Sequence, residues 1–343
     1  MKVLHILNSN RFSGAENVVC QIINLFRNDN DVEMLYVSPD GPIRESLKER
    51  NINFVALPKM SVPAVRNVIK TEKPDIVYAH DMKASVCAAL ACGKIPLVLH
   101  IHNNAFDSRK ISLKSLAFRI AGKKAKHIFW VSQTALEGYR FHKRFENKSS
   151  VLYNIVDVEA LKARMDLDRN DYDYDMVYVG RLTVPKNPIR LMNVCRLLRE
   201  KLPNVKIAIV GTGEMDEEVR NKANVFGLND NVSFLGYQSN PLKILHDGKV
   251  MIMTSLWEGT PMCALEAMSL GVPIVSTPTD GLVYLIEGSE CGYLSDKDEE
   301  LADFAAKIIT DKDLHDRLSE NAESKARKIN DTRAYKEKIQ SVL

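Results

Sequence analysis

Short runs of β-branched and aliphatic residues alternate with helical patterns of ten or more residues almost from end to end of this 343-residue chain. Each run closes in Gly, Asn, Asp or Ser. Continuous apolar strands separated by helices describe βαβ units, whose parallel sheets are covered on both faces. The pattern predicts strands at residues 2–7, 33–37, 54–57, 76–79, 97–101 and 127–131, then again at 176–179, 205–210, 232–235, 250–254 and 273–276. Between the two series, residues 157–175 are polar, acidic and weakly periodic, and read as a linker.

The expected architecture is therefore α/β, with two Rossmann-like, doubly wound parallel-sheet domains facing a central cleft. Residues 1–156 form the first and 176–330 the second, and residues 331–343 form a C-terminal helix that crosses back to the first domain, with Asp331 as its N-cap. In open α/β sheets ligands bind beyond the carboxyl ends of the strands, so the function is expected there.

Composition excludes several classes. Hydrophobic residues make up 45% and charged residues 27% of the chain, as in ordinary globular proteins, which leaves out disorder and coiled coil. No apolar run approaches the ~20 residues of a membrane span, and the N-terminus is too short in apolar residues for a signal peptide. A cytoplasmic location, peripheral on the inner face of the cell membrane, is expected. The six cysteines lack zinc spacing and read as reduced core thiols. Net charge is +3, but residues 1–155 carry 23 basic and 13 acidic side chains, which leaves 24 and 31 for the remainder. The basic half is expected to face something anionic.

The most informative segment runs from Trp257 to Pro273. Thr260 as N-cap, Pro261 at the first helical position and Gly271 as a left-handed stop predict a short helix over residues 261–270. Its free amides at Met262, Cys263 and Ala264 would attract phosphate or sugar oxygens. Glu258 precedes the helix and Glu266 lies within it, beside Leu265, in otherwise apolar sequence. Each has a bland reading, a dipole-favoured glutamate and a solvent stripe. Upstream, Arg181 follows a strand and Lys186 sits in the loop entering the next helix, a bidentate donor and a point charge suited to a diphosphate. Exposed loop cations are the alternative. Gly211-Thr212-Gly213 forms a Gly-rich strand-to-helix turn that permits close approach of backbone to a ligand.

These segments, with Phe234-Leu235-Gly236-Tyr237 and the Glu258…Glu266 spacing followed by Ala-Met-Ser-Leu-Gly-Val-Pro, resemble glycosyltransferase family 4, retaining nucleotide-sugar glycosyltransferases of the two-Rossmann GT-B architecture. The resemblance implies that Arg181 and Lys186 hold the donor pyrophosphate and stabilise the departing nucleoside diphosphate. It implies that Glu266 binds the ribose, that Glu258 with Thr260 and the segment Met262 to Leu265 orients the donor sugar, and that Gly213 and Tyr237 border the base. Gly14, in Asn10-Arg11-Phe12-Ser13-Gly14, resembles the family's Gly-Gly loop, with Ser13 in place of the first glycine and, on the bland reading, capping a helix from about residue 15. His102, in Leu99-His100-Ile101-His102-Asn103-Asn104, matches a histidine at the cleft mouth, and His80-Asp81 is a weaker candidate. Tyr284 stands where the family often has Glu, so sugar choice stays open.

The family implies no metal and no cofactor beyond the nucleotide-diphosphate sugar, a UDP-sugar by preference. Asp173-Tyr174-Asp175 has the letters of a metal motif but reads as solvated charge. The stretch from residue 109 to 126 carries Arg109, Lys110, Lys114, Arg119, Lys123, Lys124 and Lys126 with no acidic residue, interleaved with Ile, Leu and Phe. A basic amphipathic helix reads as a surface for anionic membrane, and a core-packed helix with a solvated basic face is the alternative. The expected reaction moves a hexose or N-acetylhexosamine to a lipid-linked glycan in capsule, exopolysaccharide or lipopolysaccharide assembly. A GT-B enzyme with a small soluble substrate, whether transferase, epimerase or phosphorylase, and a catalytically silent partner subunit are the alternatives. No nucleic-acid module is recognisable, so no nucleic-acid partner is expected.

Overall fold

The computed structural model describes residues 1–102, 108–288 and 290–343. The chain divides into two units, Met1–Ile155 with Thr332–Leu343, and Val156–Asp331.

The first unit is built on seven strands: β1 (Lys2–Leu7), β2 (Glu33–Pro39), β3 (Phe54–Leu57), β4 (Ile76–His80), β5 (Leu97–Ile101), β6 (His127–Trp130) and β7 (Ser149–Val151). All pair in parallel, in the order β3-β2-β1-β4-β5-β6-β7. The order reverses between β1 and β4, the switch point of a doubly wound sheet. Helices α1 (Gly14–Leu25), α2 (Ile43–Glu49), α3 (Val62–Glu72), α4 (Met82–Ala91), α5 (Leu113–Lys124) and α6 (Gln133–Gly138) fill the crossovers. One face of the sheet packs an aliphatic core from Leu4, Ile6, Val77 and Leu99 against Phe118 and Tyr139.

The second unit repeats the plan. Strands β8 (Met176–Val179), β9 (Ile207–Val210), β10 (Val232–Gly236), β11 (Val250–Met253), β12 (Ile274–Ser276) and β13 (Gly292–Leu294) are parallel in the order β10-β9-β8-β11-β12-β13, with the switch between β8 and β11. Its helices are α7 (Val158–Met165), α8 (Pro188–Lys201), α9 (Asp216–Val225), α10 (Leu242–Asp247), α11 (Met262–Ser269), α12 (Asp280–Ile286), α13 (Asp298–Thr310) and α14 (Lys312–Ile329). The last helix, α15 (Thr332–Gln340), belongs to the first unit. There Tyr335 is buried, and Lys336 pairs with Asp29 at 2.6 Å and lies over the Phe26 ring.

Two sequence expectations change. The supposed linker 157–175 contains α7, because Asp157 caps it by accepting the Ala160 N–H at 3.0 Å and Leu161 is buried. Burying one leucine contributes roughly 1.5–3 kcal/mol, enough to fix a two-turn helix whose periodicity is weak. Strands β7 and β13 were not expected, since each has three residues at a sheet edge and no continuous apolar run. Asp173 is exposed and pairs with Lys206 at 2.5 Å, a solvated charge as expected, while the less exposed Asp175 pairs with Lys249 at 2.8 Å at the start of β8.

Candidate functional site

The carboxyl end of the second sheet gathers most of the residues singled out by sequence. After β8 the chain passes Gly180-Arg181-Leu182, makes one tight turn at Val184–Lys186 and enters α8 through Asn187, whose φ of 48° is left-handed. Thr254, just past β11, donates its hydroxyl to the carbonyls of Lys186 and Asn187, both at 3.1 Å. The Leu256 N–H adds a bond to the Pro185 carbonyl at 2.8 Å. The turn carrying Lys186 is thus tied to the neighbouring strand across the switch point. There the Lys186 ammonium meets the Glu258 carboxylate, which also accepts the Ser255 hydroxyl at 2.6 Å. The two side chains are only 18% and 10% exposed. Arg181 is exposed, and its carbonyl accepts the Tyr178 hydroxyl at 3.0 Å.

Helix α11 follows the Glu258 loop, with one correction. It starts at Met262, with Pro261 rather than Thr260 in the cap position and no side-chain cap. Proline at φ −71°, ψ 125° is extended, so the helix cannot include it, and Thr260 is displaced one residue upstream. The Ala264 N–H is not free either, since it bonds the Pro261 carbonyl at 3.2 Å. Met262, Ala264 and Leu265 bury their side chains in the core. Gly271, at φ 71°, ends the segment as expected. Glu266 is half-buried on this helix, and its charge, with those of Lys186 and Glu258, acts on Cys263. Burial pushes the Cys263 thiol up to about 12, against the pull of Lys186, so it is an inert thiol. The other five cysteines are buried.

The glycine turn after β9 has a structural cause. A Cβ on Gly211 would lie 1.9 Å from the Gly180 carbonyl, and one on Gly213 would lie 2.1 Å from the Leu182 carbonyl. The close approach is to the backbone bearing Arg181, and the bond from Leu182 N–H to the Thr212 carbonyl at 3.1 Å locks the two loops together. Tyr237, exposed, follows β10 beside this turn, where the Gly211 N–H bonds the Gly236 carbonyl at 2.7 Å.

In the first unit, α1 begins at Gly14. Ser13 holds the cap position, but its hydroxyl donates to Glu16 at 2.5 Å instead of capping. Asp81 bridges this unit's own switch point: it accepts the N–H of Asn8, after β1, and of Ala84, in α4, both at 2.8 Å. It does so at φ 87°, a conformation that costs of order 1–3 kcal/mol for a side-chain-bearing residue. Burial pushes its carboxyl up to about 6, against those backbone donors. Asp81 is thereby a loop-forming residue with both oxygens engaged.

His100 and His102 share one face, as strand alternation requires, with ring centres 4.0 Å apart. His80 and His5 join them: His80 Nδ1 lies 2.9 Å from His102 Nε2, and His80 Nε2 lies 3.0 Å from His5 Nδ1. Asn103 and Asn104 lie outside the described residues. Among the described residues, His80, His100 and His102 offer ligand nitrogens within 4.8 Å of one another, the spacing of a metal site. Burial holds all four imidazoles neutral, with His5 and His102 lowered to about 3. The sequence offered no hint of His5, because its partnership depends on strand register.

Helix α5 carries the basic stretch. Ser115, Phe118, Ala121 and Gly122 bury one face, and Leu113 (89% exposed), Leu116 (40%) and Ile120 (51%) lie on the other, with Ile111 (67%) just before the helix. Arg109, Lys110, Lys114, Lys123, Lys124 and Lys126 are exposed around them. Lys124 is partly committed, donating to the Gly93 carbonyl at 2.5 Å, and Arg119 lies over the Phe141 ring. The helix packs one face on the core and leaves apolar and basic side chains exposed on the other. No described helix is long and apolar enough to cross a membrane.

Two parallel-sheet Rossmann-like units with these strand orders have the GT-B architecture. The family description "Glycosyltransferase Family 4" matches residues 12–160 and "Glycosyl transferases group 1" matches residues 160–325. The chain belongs to the family 4 type of GT-B glycosyltransferases. It is 31% identical to the uncharacterized glycosyltransferase MJ1059 of Methanocaldococcus jannaschii, over 62% of this chain and 58% of that protein. It is 26% identical to the Escherichia coli UDP-Gal:alpha-D-GlcNAc-diphosphoundecaprenol alpha-1,3-galactosyltransferase, over 95% of this chain and 92% of that one. The fold matches Anabaena Alr3699/HepE, solved in complex with UDP-glucose, with a TM-score of 0.85 at 24% identity, over 99% and 98% of the two chains.

Proposed function

We propose that the protein is a retaining glycosyltransferase that moves a hexose or N-acetylhexosamine from a UDP-sugar to a lipid-linked glycan, in assembly of a capsule, exopolysaccharide or lipopolysaccharide. The observation that carries this reading is the Lys186–Glu258 pair at the switch point of the second sheet, with Arg181 exposed on the same strand end. The bond from the anomeric carbon to the diphosphate breaks, and the bond to the acceptor oxygen forms on the same face. The acceptor's proton passes to the leaving diphosphate. Negative charge grows on that diphosphate, and Arg181 and Lys186 offset it, a role a divalent metal plays in other transferases. The reaction is therefore independent of added metal.

Glu258 orients the donor sugar, with the Met262 and Cys263 amides beside it, and Glu266 accepts the ribose hydroxyls. Gly213 and Tyr237 border the base, and Gly14 and His102 serve from the first unit. The E. coli relative, whose name gives a UDP-sugar donor and a diphosphoundecaprenol acceptor, supports the donor and acceptor classes. The exposed apolar and basic face of α5 supports peripheral attachment to an anionic membrane from the cytoplasmic side. Incubation with UDP-hexoses and undecaprenyl-diphosphate-linked GlcNAc, with and without EDTA, tests this reading. Transfer that survives the chelator, with the anomeric configuration of the donor kept in the product, is expected; inversion, or full loss with EDTA, contradicts it.

A further inference from the structure

The buried imidazoles of the first unit are arranged in a line with a direction. His5 on β1 stands level with Tyr78 on β4, and His80 on β4 stands level with His100 on β5. From His5 to His80 to His102, each ring is one strand over and two residues further on, so all three point to one face of the sheet. The His5 and His80 rings are inclined by 26°, the His80 and His102 rings by 15°, and both pairs have centres 5.2 Å apart. That separation exceeds the N···N distances of 3.0 and 2.9 Å by about the two ring radii. The rings therefore meet edge to edge, nitrogen facing nitrogen, as in hydrogen bonds and not as ligands converging on one ion. His100 packs against the last ring at 4.0 Å.

The first ring in the line supplies the direction. His5 Nε2 lies 3.3 Å from the Met34 sulfur in the buried interior. A thioether carries no hydrogen and can only accept, so His5 Nε2 holds the proton. His5 Nδ1 is then an acceptor and must receive the proton on His80 Nε2. His80 Nδ1 in turn receives the proton on His102 Nε2. His102 Nδ1, buried and without a partner among the described residues, is left with its lone pair.

We propose, on the basis of the glycosyltransferase reading above, that Met34, His5 and His80 are positioning residues that fix the tautomer of His102, so that Nδ1 is presented as an acceptor for a substrate hydroxyl at the carboxyl end of β5. The line ends at a sulfur that cannot take up a proton, so it orients and does not conduct. A proton taken at His102 Nδ1 has no exit.

The test is nitrogen-15 NMR of the ligand-free protein labelled at histidine, which reads tautomers whether or not the enzyme turns over. Pyrrole-like Nε2 and pyridine-like Nδ1 signals are expected for His5, His80 and His102 alike at neutral pH. The opposite tautomer at His102, or signals of a metal-bound imidazole, overturns the proposal. Met34→Leu keeps the volume and removes the acceptor, so mixed tautomers are expected to appear in the three rings together, with kcat/KM for transfer lowered about tenfold, the usual scale for a group that orients a functional imidazole. His5→Phe, which leaves His80 Nε2 without its acceptor, is a second variant with the same expectation. An unchanged His102 tautomer in both folded variants overturns the proposal. Tautomers as stated in a protein that transfers no sugar count against the functional reading alone.

Discussion

Lys186 and Glu258 meet across the point where the second sheet reverses its strand order, held from below by Thr254 and from the side by Ser255. The pair is mostly withdrawn from water, so each charge depends on the other until an anionic ligand arrives. A diphosphate placed beside Arg181 would take Lys186 as partner and leave Glu258 to accept hydroxyls.

Lys186→Met is therefore expected to lower kcat by about 100- to 1,000-fold, the scale seen when one donor to a developing oxyanion is removed. Steady-state transfer assays check this. Comparable loss of UDP binding without loss of kcat would make Lys186 a binding residue only.

Glu266→Ala is expected to weaken UDP binding while leaving ligand-free melting nearly unchanged. Its carboxylate is half-buried at the rim of α11, so little packing is lost. Calorimetric titration together with melting in ligand-free buffer checks both halves, and a large drop in ligand-free melting temperature would assign Glu266 to the fold.

Gly213→Ala is expected to destabilise the protein by about 1–3 kcal/mol, because the added methyl collides with the Leu182 carbonyl, which cannot move without breaking the loop contact. Denaturant unfolding measures it, and a change within 0.5 kcal/mol, roughly the spread of neutral surface substitutions, would contradict the packing account.

Changing Lys114, Arg119, Lys123 and Lys124 together to Glu is expected to release the protein from anionic vesicles, since each cation contributes ~1 kcal/mol near such a surface. Leu113→Ser with Leu116→Ser and Ile120→Ser is expected to weaken sedimentation with vesicles while keeping its salt dependence. Unchanged sedimentation in both variants would remove the membrane from the account.

Acid is expected to destabilise the first unit. The four buried imidazoles bind protons in the unfolded chain below about pH 6.5 but not in the folded one, so the unfolded state holds more protons and stability falls as pH drops from about 6.5 towards 3. Asp81 acts in the opposite sense between its ordinary value of 3.8 and about 6, as one group against four. Melting curves across this range check the sign, and stability that rises on acidification would contradict it.

The repeated βαβ plan was legible because fully buried parallel strands must be continuous apolar runs, and eleven of the thirteen follow that rule. β7 and β13 escaped it because each is only three residues long with no such run, unlike the edge strands β3 and β10. Arg181 and Lys186 were legible as cations in the loop after a strand, and Glu258 and Glu266 as carboxylates before and within an otherwise apolar helical segment. Thr254, Ser255, Met34 and His5 were not, since their roles come from register between strands far apart in sequence. The Gly-x-Gly turn was legible as a site of close approach, but sequence could not say that a neighbouring backbone is what approaches.

The most direct test of the donor site is calorimetric titration of UDP into the wild type and into Lys186→Met and Glu266→Ala. Saturable one-to-one binding by the wild type that weakens in both variants is the result the account predicts; no UDP binding by the wild type, or equal affinity in all three proteins, would contradict it.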